Sequence, residues 1–345
     1  MEIHTVGIDL GKTVFNLVGL SVQGEVVVRK KFSRKQLLHF TANLRVGLIG
    51  MEACGGAHFL GRALREQGHD VRLMPAQYVR PYVKTNKNDY IDAEAIAEAV
   101  RRPRMRFVPI KTDEQLDMQS LHRVREGWVG RRTAVINQLR GLLLERGITV
   151  RKGRRHIEDA LPGILEDADN KLSAALRLLL FQLCSEMRHL QSQIDEADAV
   201  ILRMASEDES CQRLDEVPGI GPVIATATIS AIGNGAAFKK GRGFAAWLGL
   251  VPGEYSTGGK QKLLGISKRG NSYLRRLFVH GAHAVMQQRA KQSSGLRQWL
   301  EQLSARVHRN VAVVALANKL ARIAWAVLAK GERYRPSLLA EGVCA

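Results

Sequence analysis

Residues 5–32, TVGIDLGKTVFNLVGLSVQGEVVVRKKF, decide how this chain folds. Three runs rich in β-branched residues, TVGIDLG, VFNLVGL and EVVVRKKF, are separated by Gly-containing turns, which predicts three consecutive strands. Asp9 is the anomaly: an acid inside an apolar first strand, flanked by Gly7 and Gly11. A carboxylate withdrawn from water is costly unless it is paired or meets a cation, so Asp9 needs a reason to be there. The pattern continues with a helix over 34–44 and a fourth strand, VGLIGME (46–52), that ends on a second acid, Glu52. A helix over 57–67 and a fifth strand over 70–74 follow.

The next stretch, TNKNDYIDAEAIAEAVRR (85–102), reads as a helix from Asp92 onward, closed by Arg101 and Arg102 before Pro103. Asp89 and Asp92 are three residues apart, so both carboxylates can share one helix face. Taken alone, the pair reads as an N-cap aspartate and a first-turn acid complementing the helix dipole. The upstream acids change that reading. Three strands, then alternating helix and strand, is the element order of the ribonuclease H-like fold, in which the first strand and the end of the fourth lie side by side. Asp9 and Glu52 are then expected to face each other, with the Asp89/Asp92 helix closing over them. Four converging carboxylates repel one another unless divalent cations are present. Oxygen-only ligation suits Mg²⁺ or Mn²⁺, and a pair of such ions is the recurring device for phosphodiester chemistry. The same strand followed by D-L-G-K-T also fits the first phosphate loop of the actin and sugar-kinase superfamily. That reading lacks its second Asp-Gly phosphate loop and its glycine-rich adenosine site, and Lys12-Thr13 lacks the GxxxxG of a Walker A loop.

At 345 residues the chain is long enough for two domains with cores of their own. Its 52 Lys+Arg against 33 Asp+Glu leave a net charge of +19, which points to a polyanionic partner. Nucleic acid is expected before membrane, because no apolar run reads as long enough to span a bilayer. The first residues lack a signal pattern, and Cys54, Cys184, Cys211 and Cys344 are scattered without a CxxC. A reducing, cytoplasmic setting is the expectation.

Charge then alternates along the chain. Residues 115–155 read as a long helical stretch with ten Lys/Arg against three acids, among them Arg123, Arg125, Arg131, Arg132, Arg140 and Arg146. Charged surface helices ordinarily mix signs; this one hardly does, which favours backbone contact with nucleic acid. Residues 157–217 invert to fourteen acids and five bases. Leu172, Leu176, Leu179, Leu183, Met187, Leu190, Ile194, Ala197 and Ile201 step by three and four, a heptad seam that predicts a coiled-coil spacer over 157–205 and a second chain. LDEVPGIGP (214–222) before an Ala/Thr/Ile helix resembles a helix-hairpin-helix element, whose turn, here at Gly219 and Gly221, presents N–H groups to a phosphate.

Residues 236–290 hold ten Lys/Arg and one acid. Inside them Ser256 and Thr257 sit in a Gly-rich loop near Lys260, Lys262, Lys268 and Arg269. Loop chemistry alone favours a backbone grip on phosphate. A hydroxyl among cations can also serve as a nucleophile, and the pattern does not choose between the two. Helices are predicted over 271–283 and 311–330, with Trp299 and Trp325 as core anchors and His280 and His283 as packing residues.

Asp9 in the first strand, Glu52 ending the fourth, the K-N-D-x-x-D helix (87–92), the heptad spacer, VPGIGP (217–222), GLVPGEYSTGGK (249–260) and ISKRGNSYLR (266–275), in this order, resemble over nearly the whole chain the DEDD transposases of the insertion-sequence family "IS one-ten", with GLVPGEYSTGGK similar to its "eleven-eleven" subgroup. The resemblance implies a RuvC-like domain whose Asp-Glu-Asp-Asp set falls on Asp9, Glu52, Asp89 and Asp92. It also implies a C-terminal serine nucleophile, which falls on Ser256, with Thr257 one residue away. It further implies guidance by a non-coding RNA that pairs with donor and target DNA, which fits basic faces reading backbone shape. The expected organisation is a RuvC-like domain over 1–112, a basic helical and coiled-coil spacer over 113–210 and a helical transposase domain over 211–345, assembled as a homodimer or tetramer. Two other classes share these features: a structure-specific junction resolvase using the four acids without a serine intermediate, and a non-catalytic nucleic-acid scaffold.

Overall fold

The computed structural model describes residues 2–84 and 88–336, and Lys87 of the K-N-D-x-x-D motif and Cys344 lie outside these. The chain divides into two compact units, Met1–Asp113 and Glu114–Ala345.

In the first unit, β1 (Thr5–Leu10), β2 (Val14–Leu20) and β3 (Val26–Ser33) form an antiparallel meander. Ser33 and Gln36 close a capping box that starts α1 (Arg34–Ala42). β4 (Leu48–Glu52) then pairs with β1 in parallel, α2 (Ala57–Glu66) crosses over, and β5 (Val71–Met74) pairs with β4 in parallel. The short α3 (Ala76–Val79) leads toward α4 (Asp89–Val100). The sheet order β3-β2-β1-β4-β5 is the mixed α/β sheet expected of a ribonuclease H-like transposase domain.

Period-two alternation sends β1 and β4 side chains to two different cores. Val6, Ile8, Ile49 and Met51 pack with Leu37, Leu60 and Leu64 of α1 and α2. The residues between them face α4, and two of those are glycines paired across the ladder, Gly7 with Gly50. A Cβ on Gly7 would run into the Ala93 carbonyl and Ala97, and one on Gly50 would meet Val100. The missing side chains let α4 lie against the sheet backbone.

The second unit is mostly helical. α5 (Asp113–Leu144), α6 (Arg154–Glu166) and α7 (Ala174–Glu207) share one core, with Val135, Leu139 and Leu143 of α5 and Ile157 and Leu161 of α6 packed on α7. α8 (Glu209–Asp215), α9 (Pro222–Ile232), α10 (Gly241–Trp247), α11 (Ser272–Gln287), α12 (Ser294–Ser304) and α13 (Arg309–Lys330) surround a second core anchored by Phe244 and Phe278. Between α10 and α11, β6 (Pro252–Glu254) and β7 (Leu263–Ile266) make a two-stranded ribbon.

Several expectations need correction. The helix expected from Asp92 onward, α4, begins at Asp89, and its N-cap is Asn88, whose side chain accepts from the Tyr90 N–H. The basic stretch 115–155 is one helix only to Leu144. The buried stripe on α7 runs Leu176, Leu180, Cys184, Met187, so Leu179 is exposed and Leu183 only half-buried. The stripe slips one residue because its partners are the chain's own α5 and α6, and the seam therefore does not demand a second chain. His280 is exposed rather than packed, while His283 is half-buried. Among the described residues one helix, α13, is long and apolar enough by composition to cross a bilayer, with a mean hydropathy of 1.7. Its Leu316, Leu320, Ala321 and Ala324 are instead buried in the core of this unit.

Candidate functional site

The register of β1 and β4 ends at Ile8 opposite Met51, so Asp9 and Glu52 follow at the same end of neighbouring strands. Each lies two residues beyond its glycine, on the face that meets α4. Asp92 immediately precedes Ala93, the residue pressed on Gly7, so the first turn of α4 stands over the strand ends. Asp9, Glu52 and Asp92 are half-buried, whereas Asp89 is exposed one turn earlier. Burial first, then the charges of Asp9 and Asp92, hold the Glu52 carboxyl above its ordinary range. The same environment raises the Cys54 thiol, through burial and then Glu52 and Asp9.

These are hard oxygen donors gathered at one end of the sheet, so the set fits divalent cations in chemistry. Among the described residues, no three His, Cys, Asp or Glu side chains close tightly enough to hold an ion as they stand.

The second unit carries Ser256 on the β6–β7 ribbon. Thr257 and Lys260 bridge at its tip, with Gly258 and Gly259 at φ +55° and +76° between them, the geometry of a tight two-residue hairpin turn. The Gly-rich segment expected as a loop is thus an ordered hairpin. At its root, Gly249 and Gly270 both have φ +71°, and a Cβ on either would strike backbone, at Arg269 and Trp247 respectively. Ser256 is exposed; its Oγ donates to Glu254 Oε1 at 2.5 Å and accepts from the Lys262 N–H at 3.4 Å. Lys260, Lys262, Lys268 and Arg269 are exposed on the same ribbon and its exit. Sequence reasoning missed Glu254, although it is the only acid among residues 236–290.

The other expected contacts divide. Arg123 and Arg131 are exposed on α5, and Arg123 lines a cleft of about 480 Å³ with Trp247, Asn271 and Tyr273. Arg132 is half-buried and donates to Gln191 of α7, and Arg125 pairs with Asp198 at 2.5 Å, so both tie helices together. Gly219 (φ +80°) sits in the turn between α8 and α9, where its backbone presses on Gly281 of α11. That contact gives Gly219 a packing role, while Gly221 is the N-cap of α9 with open space beside it.

Comparison with known proteins matches both the N-terminal and the C-terminal part of the chain. A DEDD transposase family model of the IS110 type matches residues 6–147, and a model described as "Transposase IS116/IS110/IS902 family" matches residues 211–297. The chain is 45% identical to a "Probable family 20 transposase" of Pseudomonas aeruginosa, over 97% of this chain and 100% of the relative. It is 44% identical to the transposase for insertion sequence element IS1328 of Yersinia enterocolitica, over 96% and 98% of the two chains. To the transposase for IS1111A of Coxiella burnetii it is 40% identical, over 97% and 92%. With both halves matched and relatives this similar along their full lengths, the chain belongs to the IS110/IS116/IS902 family of insertion-sequence transposases.

Proposed function

We propose that this transposase cuts and rejoins donor and target DNA through a covalent Ser256–DNA intermediate, assisted by divalent metal and directed by a non-coding RNA. The observation that carries the reading is the grouping of Asp9, Glu52 and Asp92 at the ends of β1 and β4 and the first turn of α4. Asp9, Glu52, Asp89 and Asp92 would hold Mg²⁺ or Mn²⁺, two ions by the chemistry of the donor set. When bound, such cations neutralise and polarise a phosphodiester.

The remaining work falls to side chains of this protein. Ser256 attacks the phosphate, and the ester conserves the energy of the broken bond so that rejoining needs no nucleotide. Lys260, Lys262, Lys268 and Arg269 hold the strand as point and fork charges, with Arg123, Arg131 and the α9 N-terminus at Gly221 supplying further backbone contacts. Arg132 and Gly219, each committed to internal packing, act by shaping that surface. Guide RNA and DNA are read mainly through backbone shape, for which exposed cations suffice. The working division is 1–112 for the acids, 113–210 for the basic helix and spacer, and 211–345 for the serine, within a cytoplasmic protein acting on DNA.

Assembly is proposed as a homodimer or tetramer. Since the α7 seam is closed within the chain, the contact is assigned to Leu178 and Phe181, three residues apart on α7 and each more than half exposed.

The test is a denaturing gel on protein incubated with Mg²⁺, donor and target DNA and RNA transcribed from the element's flank. A covalent adduct should form, disappear in Ser256→Ala and persist in Thr257→Ala, while Asp9→Asn should lose cutting and keep binding. Cutting that survives Ser256→Ala would favour the junction-resolvase alternative, and cutting by Asp9→Asn at normal rate would remove the metal site.

A further inference from the structure

Glu254 stands where general electrostatics disfavours it. Ten Lys/Arg and this single acid occupy residues 236–290, and a carboxylate there weakens the field that draws phosphate to the hairpin. Its position has a local explanation. Glu254 closes β6, paired with Leu263 of β7, and Ser256 lies two residues on. Strand alternation turns both side chains to one face. Glu254 Oε1 accepts the Ser256 hydroxyl at 2.5 Å, and Gln261 Nε2 donates to the same oxygen at 3.5 Å. The Lys262 N–H donates to Ser256 Oγ at 3.4 Å. A hydroxyl has one proton and two lone pairs. Here the proton lies on a carboxylate, one lone pair receives an N–H, and the second faces solvent on an exposed hairpin.

We propose that Glu254 is the general base for Ser256, an inference that rests on the reading of Ser256 as nucleophile. As the Oγ–phosphorus bond forms, the Ser256 proton passes to the Glu254 carboxylate. The bond from phosphorus to the departing strand breaks, and that strand's oxygen takes a proton from solvent to leave as a hydroxyl. In rejoining, an attacking strand hydroxyl gives its proton to solvent, its oxygen bonds to phosphorus, and protonated Glu254 returns its proton to the departing Ser256 Oγ. Nucleophile and base are thus carried on one small element, joined by a hydrogen bond that exists before DNA arrives.

The experiment measures single-turnover formation of the covalent protein–DNA adduct from pH 6 to pH 9 for the full-length wild type, Glu254→Gln, Glu254→Ala and Ser256→Ala. Glutamine still offers an oxygen to the Ser256 hydroxyl but is not a base. Both Glu254 variants should therefore be slower by about a hundredfold or more, with DNA retention on native gels unchanged. Their residual rates should climb about tenfold per pH unit with hydroxide where the wild type is flat. A Glu254→Gln protein at wild-type rate would reduce Glu254 to a positioning residue and overturn the proposal, as would an equal loss at every pH. An adduct from Ser256→Ala at wild-type rate would instead overturn the serine reading itself, so the two failures are told apart.

Discussion

Gly7 and Gly50 face each other across the β1–β4 ladder, and both yield their side-chain space to α4. The acids follow two residues later on each strand, so the closeness of α4 sets how near Asp92 comes to Asp9 and Glu52.

Gly7→Ala should therefore act at a distance from the chemistry. The added methyl meets backbone at Ala93 rather than a side chain that could turn aside, and overpacking of this kind costs about 1–3 kcal/mol. Denaturant unfolding should report that loss. Displacing α4 by about an ångström should also slow cutting on the order of a hundredfold, with DNA affinity unchanged. Wild-type cutting by Gly7→Ala would show that the seat of α4 does not control the acids.

His122 should make stability depend on pH. It is 2% exposed, its ring nitrogens meeting Tyr273 Oη and Thr226 Oγ1 at 3.0 Å each. Burial first, then the nearby Arg125, lower its pKa from 6.5 to about 4. The unfolded chain takes up a proton near pH 6.5 that the folded chain refuses until about pH 4, so stability falls as pH drops through that window. The loss approaches about 3 kcal/mol by pH 4 and levels off below it. Denaturation midpoints across the window should follow this curve, and His122→Gln should flatten it.

Lys260 and Lys262 should each be visible in the salt dependence of DNA binding. Replacing both with glutamine should weaken binding to all sequences alike and lower the slope of log affinity against log salt by about 2. An unchanged slope would mean that the hairpin does not lie on phosphate.

If sites are shared between chains, defective copies should repair one another. Mixing Asp9→Asn chains with Ser256→Ala chains should recover cutting that neither shows alone. Lysine at both Leu178 and Phe181 should abolish this recovery and give monomers by light scattering. Failure to complement, with each variant folded, would assign both functions to one chain.

Much of the first unit was legible because local and global signals agree there. The β-branched runs, their glycine turns and the acids at strand ends all point to one sheet, and the strands lie within two residues of their expected limits. What failed were choices made by packing. Asp89 reads as a cap until Asn88, a better placed side chain, takes the role. On α7, Leu179 and Leu180 are both leucines, and only the positions of α5 and α6 decide which is buried. Arg132 looks like its neighbour Arg131 in sequence, yet one helix turn geometry sends it to Gln191 and leaves the other in water. Glu254 carried a signal of composition, and its meaning came only once the β6–β7 ribbon set it on the face of Ser256 and within a hydrogen bond of it.

The glycine pair at the root of the C-terminal hairpin has a practical outcome for anyone wishing to alter this enzyme. Gly249 and Gly270 admit no side chain, while the strands between them lie on the surface and leave the helical core untouched. Residues 251–268 should thus behave as an exchangeable cassette: grafts that keep the two flanking glycines and the buried Leu250 are expected to leave the thermal unfolding of the helical body unchanged.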